Sequence, residues 1–313
     1  MDLVSNLTEG GDGKITYLSA SPFEIHHILC KLESAQRHPV FGELIFPDGM
    51  AGELVPCIVA CHGSRGWADH HQDHINNWLG AGFAVFCINS FDSREVDSTV
   101  ESQMMVTYAM MLSDAFEALK LLNTHPLIDS GKIAITGWSL GGTVALYSAW
   151  KPIAESLAQN GERFVAHMPF YPAAHLRPED NRWQDVPIKI FHGEMDDYTP
   201  LSLVQGLIDE VNKIGVSMEL EIYPNSHHSF DSKEEMKWLP NAIKLDERTV
   251  QISLEGEMWG EIEEGIKVPL NEPHERLAAF NLVKNVGAHV GGNSDARKRA
   301  LQGGTEFLQH HLK

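Results

Sequence analysis

Ser139 sits in the middle of Gly137-Trp138-Ser139-Leu140-Gly141-Gly142, and its neighbours make it the residue of this 313-residue chain best suited to chemistry. A short apolar run at 132–136 precedes this segment and a helix-like run at 143–150 follows it, so the serine is expected on a tight strand-to-helix turn. The glycines permit a sharp turn and close backbone approach, and a helix N-terminus favours developing negative charge. A serine hydroxyl attacks well only when a base takes its proton and a further group orients that base. After the apolar run at 188–191 come Glu194, Asp196 and Asp197, and after the run at 218–223 come His227 and His228. The intervals, 57 residues from Ser139 to Asp196 and 32 from Asp196 to His228, each leave room for a helix and a strand. Serine, acid and histidine therefore follow one another in order, each expected at the end of a strand. The Leu140 N–H is one expected donor to an oxyanion, and a second should come from His62-Gly63-Ser64-Arg65-Gly66, behind the run at 56–60.

Holding these groups together requires an alternating fold. Strands are expected at 40–46, 56–60, 83–88, 132–136, 164–170, 188–191 and 218–223, and helices at 73–81, 101–123, 143–150, 200–214 and 295–312. That order predicts an α/β class, a mostly parallel central sheet with helices on both faces, in a single domain spanning 1–313. In the 101–123 run, Met104, Met105 and Met111 fall at helical spacing and are expected to fill core. The stretch at about 233–293 breaks the alternation. It reads as an irregular acidic insertion, with Glu255, Glu257, Glu261, Glu263 and Glu264 close together, and as a lid, an oligomer contact or a solvated excursion.

Composition narrows the partners. A net charge of −19 argues against nucleic acid, and no run approaches the roughly 18 apolar residues of a membrane span, so no membrane partner is expected. Cys30, Cys57, Cys61 and Cys87 are too scattered for a disulfide framework, and three of them lie in apolar runs. With no basic-then-apolar leader at Met1, a cytoplasmic location is expected. His70 and His74 share a helical face, yet no glutamate follows His70, and no metal is expected there.

The motifs together resemble the dienelactone hydrolase family of α/β-hydrolases. The likeness rests on 62–66, 137–142, 192–200 and 223–230, and covers roughly 40–231 together with the terminal helix. The family's His-Gly-x-x-Asp-x-x-x-Pro pattern selects Asp196, and its His-x-Phe pattern selects His228. It also implies Ser64 or Arg65 as the second backbone oxyanion donor. True dienelactone hydrolases use a cysteine where this chain has Ser139, which shifts the expectation to serine esterases of the wider family. The implied activity is hydrolysis of small soluble esters or lactones, with no cofactor and with a homodimer left open. A peptidase or amidase related to prolyl oligopeptidases, or a receptor built on the same fold, are the competing expectations. Arg65 and Arg94 are candidate clamps for a substrate carboxylate, and Trp138 and Tyr171 candidate pocket walls. Because the 233–293 segment is acidic and broken by glycine and proline, short acyl groups are expected to be preferred.

Overall fold

The computed structural model describes residues 3–49, 52–283 and 285–313. Its strands are β1 (Gly13–Ala20), β2 (Arg37–Ile45), β3 (Val55–Cys61), β4 (Ala84–Ile88), β5 (Ile128–Trp138), β6 (His167–Phe170), β7 (Leu176–Pro178), β8 (Lys189–Gly193), β9 (Glu219–Tyr223), β10 (Lys237–Ile243), β11 (Val250–Ile252), β12 (Met258–Glu263), β13 (Ile266–Pro269) and β14 (Val286–Val290). The helices are α1 (Ile25–Cys30), α2 (Asp69–Gly80), α3 (Tyr108–Leu122), α4 (Leu140–Tyr147), α5 (Lys151–Leu157), α6 (Leu201–Asn212), α7 (Pro273–Val283) and α8 (Ser294–Leu312).

Eight strands form the central sheet in the order β1-β2-β4-β3-β5-β6-β8-β9. β1 and β2 are antiparallel to their neighbours, and every pairing from β4 to β9 is parallel. Along β3 the side chains divide by parity. Cys57, Val59 and Cys61 join a core layer with α3, α4 and α5, while Ile58 and Ala60 join one with α2 and α8. A parallel strand buried on both faces has no polar face to show, which is why it reads as a continuous apolar run. Cys57, Cys61 and Cys87 are buried and unpaired, and Cys30 is exposed.

Two elements differ from the expected pattern. α3 begins at Tyr108, not 101, because Thr107 caps it by accepting the Met110 N–H at 3.3 Å. Met104 and Met105 consequently lie ahead of the helix, and Met105 is exposed and fills no core. The 233–293 stretch is also not irregular. β10 pairs with β14, and β11, β12 and β13 join β7 in a second sheet of order β13-β12-β11-β7. Because β7 lies between β6 and β8 in the chain, this sheet anchors the insertion to the rim of the central sheet. All five clustered glutamates are exposed, whereas Ile252, Met258 and Ala288 are buried. The segment is thus two-faced, acidic outside and apolar inside, and a count of its charges conceals the inner face.

Candidate active site

β5 ends at Trp138, and Ser139 turns the chain into α4 with φ 55° and ψ −111°. A residue with a Cβ seldom adopts this backbone, so the surroundings must hold it. The glycines explain how. A Cβ on Gly141 would lie 2.1 Å from the Cys61 carbonyl oxygen, and one on Gly137 2.3 Å from that of Gly141. The end of β3, the end of β5 and the start of α4 therefore meet backbone to backbone, and Ser139 is left at the apex.

The structure brings three of the expected side chains into line. Ser139 Oγ lies 2.8 Å from His228 Nε2, and His228 Nδ1 lies 2.8 Å from Asp196 Oδ2. Asp196 is buried, and its Oδ1 accepts the backbone N–H groups of Tyr198 and Thr199, each at 2.9 Å. The Thr199 hydroxyl donates to its Oδ2 at 3.0 Å. Burial alone would raise this carboxyl, but the charge and hydrogen bond of His228, then His192 and the Thr199 N–H, hold it below its ordinary value. The His228 ring is held between the rings of Tyr171 and Tyr198, each 4.7 Å away between centroids. Asp197 and His227 turn away from Ser139 toward His289 on β14.

The loop after β3 runs past Ser139. A Cβ on Gly63 would sit 3.6 Å from Ser139 Cβ, and the Ser64 carbonyl is pinned by the Thr99 N–H at 3.0 Å and the Ser98 hydroxyl at 3.1 Å. Buried His62 faces its own loop at 2.9 Å through Nδ1 and the Phe91 N–H at 3.4 Å through Nε2. The Leu140 N–H, at the first residue of α4, belongs to the turn whose donors have no partner within the helix.

Two cavities open on either side of Ser139. One, of about 180 Å³, is lined by Leu140, Thr143 and His175 and by Ile243, Leu245, Val250, Met258, Leu270 and Phe280 from the insertion. The buried Arg276–Glu24 pair lies in its wall, with Arg276 also donating to the Gln103 carbonyl at 3.0 Å. The other, of about 420 Å³, is more polar and is bordered by Arg65, His70, Tyr171, Lys233 and Glu234. Ser64, Ser139 and Tyr198 border both.

The remaining candidates divide. Arg65 borders the polar cavity, and its exposed guanidinium meets Glu234 at 3.2 Å. Arg94 borders neither cavity. Its guanidinium is buried against Asp114, at 2.7 and 2.9 Å, and also donates to Ser90 and Ser21, so the clamp expected of it is replaced by an internal pair. Trp138 and Tyr171 border the polar cavity, but each is almost wholly buried. Both donate to Asp231, Trp138 Nε1 at 3.0 Å and Tyr171 OH at 2.8 Å, and His74 meets the same carboxylate at 3.1 Å. Burial would raise Asp231, yet His70, His74 and Tyr171 together drive it far below the ordinary carboxylate range. Reading the sequence missed Asp231. Its only signal is its position, three residues after His228 and next to Phe230.

Three comparisons relate the chain to known proteins. The dienelactone hydrolase family matches residues 44–252, more than half of the chain. The chain belongs to that family and is an enzyme of the hydrolase class with the α/β-hydrolase fold. A crystal structure of a dienelactone hydrolase-like promiscuous phosphotriesterase from metagenomic libraries aligns at TM-score 0.52 and 14% identity, covering 96% of this chain and 100% of that one. A dienelactone hydrolase structure from Klebsiella pneumoniae aligns at TM-score 0.49 and 17% identity, over 70% of this chain and 89% of that one. Among curated proteins, dipeptidyl peptidase family member 1 of Caenorhabditis elegans is 26% identical over 39% of this chain. A probable dipeptidyl-aminopeptidase B of Talaromyces stipitatus is 28% identical over 42%. The aligned part spans 18% of the length of each of these two relatives.

Proposed function

We propose that this chain is a serine carboxylic-ester hydrolase that cleaves small esters or lactones through Ser139, His228 and Asp196. The observation that carries the reading is the continuous relay from Ser139 Oγ through the His228 ring to Asp196, with 2.8 Å at each step. His228 takes the Ser139 proton as the oxygen attacks the ester carbonyl, and the same proton then goes to the departing alcohol. The resulting acyl-enzyme is opened by a water that His228 deprotonates. Asp196 holds the Nδ1–H tautomer and balances the imidazolium in both halves. The oxyanion falls to the Leu140 N–H and to the loop after β3. Ser64 is favoured over Arg65 as the second donor because it borders both cavities beside Ser139. The acyl group is assigned to the apolar 180 Å³ cavity and the alcohol to the polar one, since the one carboxylate lining the apolar cavity, Glu24, is already buried against Arg276 and an apolar chain there desolvates no free charge.

Peptide-bond cleavage is the second reading, favoured by the partial likeness to the two peptidases. A panel of short-chain esters, lactones and peptide amides, run on the wild type and Ser139→Ala, separates the readings. Ester or lactone turnover that disappears in Ser139→Ala supports the first, and turnover confined to the peptide amides overturns it.

A further inference from the structure

Next to the proposed triad, but outside it, Asp197, His227 and His289 bring a carboxylate oxygen and two imidazole nitrogens within 4.8 Å of one another. We propose that these three residues bind a divalent transition-metal ion of the Zn²⁺ type, and that the ion fastens the insertion to the two loops that carry Asp196 and His228.

The donors are already oriented. The His289 N–H donates to Asp197 Oδ1 at 2.9 Å while His289 Nδ1 faces Oδ2 at 2.8 Å, so one residue fixes both carboxylate oxygens. His227 Nδ1 is buried, has no hydrogen-bond partner among the described residues, and points at Asp197 Oδ1 from 3.9 Å. A buried ring nitrogen left without a partner is an unused ligand atom, and it is the observation that points beyond an ordinary surface ion pair. Trp238 packs on the His289 ring at 4.6 Å, and Gly287 leaves the space that Trp238 occupies, since a Cβ there would lie 2.3 Å from the indole.

Bonds of about 2.0–2.1 Å to a tetrahedral ion separate its donors by about 3.3 Å. The two nitrogen-to-carboxylate separations, 2.8 Å from His289 Nδ1 to Oδ2 and 3.9 Å from His227 Nδ1 to Oδ1, bracket that value, and all three ligand atoms lie within 4.8 Å of one another. Two imidazoles and one carboxylate suit Zn²⁺, Co²⁺ or Ni²⁺ better than Ca²⁺ or Mg²⁺, and water completes the coordination. The three residues come from three places: the loop after β8, the loop after β9, and β14. β14 already reaches the histidine loop, since the Gly291 N–H donates to the His228 carbonyl at 3.0 Å. The ion would add a second tie at the same junction without touching the reacting atoms.

The test starts from full-length protein stripped with a chelator and dialysed. Co²⁺ is titrated with visible absorption as the readout, then displaced with Zn²⁺, and Zn²⁺ binding is measured by calorimetry. One equivalent should bind with a dissociation constant on the order of 10 µM or below, and should raise the melting temperature. His289→Ala and Asp197→Asn should each weaken binding by about tenfold or more. His227→Gln should do the same, and His310→Ala should leave binding unchanged. Metal-free melting curves of the variants establish that they are folded, and ester turnover of the metal-free variants should stay near that of the wild type. No saturable binding in the wild type, or binding that survives all three ligand substitutions, overturns the proposal.

Discussion

The two walls of the cleft around Ser139 are built on different terms. On the side of the central sheet, glycines force backbone against backbone, and the polar side chains of the site, His62, Asp196, His228 and Asp231, are buried and multiply hydrogen-bonded. On the side of the insertion, strands of three to seven residues carry exposed glutamates outward and isolated apolar side chains inward, packed around one buried Arg276–Glu24 pair. The first wall fixes atoms to within a hydrogen bond. The second sets a volume. The contrast implies that chemistry is vulnerable to single substitutions on the sheet side, whereas changes on the insertion side retune which substrate fits.

The largest effects should fall on the sheet side. Asp196→Asn and His228→Gln should lower kcat for a short ester by roughly 10³–10⁴-fold. In metal-free protein, Asp197→Asn and His227→Gln should change it only a few-fold. Steady-state assays of the four variants make each wrong neighbour the control for the right one, and a reversal at either pair would move the triad. Asp231→Ala leaves the Trp138, Tyr171 and His74 donors facing an emptied buried site, and should cost about 3–5 kcal/mol in urea unfolding. A loss below about 1 kcal/mol would show that this network is not what stiffens the wall.

Acid should weaken the fold as a whole. Burial pushes His167 and His175 down to about 4, well below the ordinary histidine value. The folded state therefore binds fewer protons than the unfolded chain once the pH drops below about 6.5. Stability should be flat above neutrality and fall between about pH 6.5 and pH 4, by up to about 1.4 kcal/mol per pH unit for each histidine. Denaturant melts at pH 8, 7, 6 and 5 measure this, and a flat profile down to pH 5 would contradict it.

The smallest predicted effect belongs to the insertion. Each methylene placed in the apolar cavity is worth about 0.8 kcal/mol, or roughly fourfold, so butyryl esters should exceed acetyl esters by on the order of tenfold in kcat/KM. Long fatty acyl chains that run on past this cavity meet Glu101, Asp246 and Glu261 and should be poor. Leu270→Trp should shift the optimum toward acetyl and leave acetyl-ester kcat nearly unchanged. An optimum at ten carbons or beyond, assayed below micelle-forming concentrations, would show that the insertion opens into a longer channel.

The sequence was legible where structure is local. The elbow, the order of serine, acid and histidine, and the buried parallel strands all follow from short motifs and continuous apolar runs. β1 escaped because its GKITYLSA run buries Thr16 and Ser19 among its apolar residues, so no clean alternation appears. The insertion escaped because its strands are too short for periodicity to register, and β7, its partner, is three residues long and distant in the chain. Arg94 was misread for a related reason. The carboxylate that engages it, Asp114, lies 20 residues away on the inner face of α3, and only packing brings the two together. Asp231 and His289 likewise gain meaning from neighbours that no motif names.

The central claim, that Ser139 is the attacking atom, is tested most directly by labelling with a fluorophosphonate and mapping the adduct by peptide mass spectrometry. The account predicts one label per chain, on Ser139, with ester turnover lost in proportion to labelling and no label on Ser139→Ala. Full turnover after stoichiometric labelling of Ser139, or an adduct on another residue that tracks the loss of activity, would contradict it.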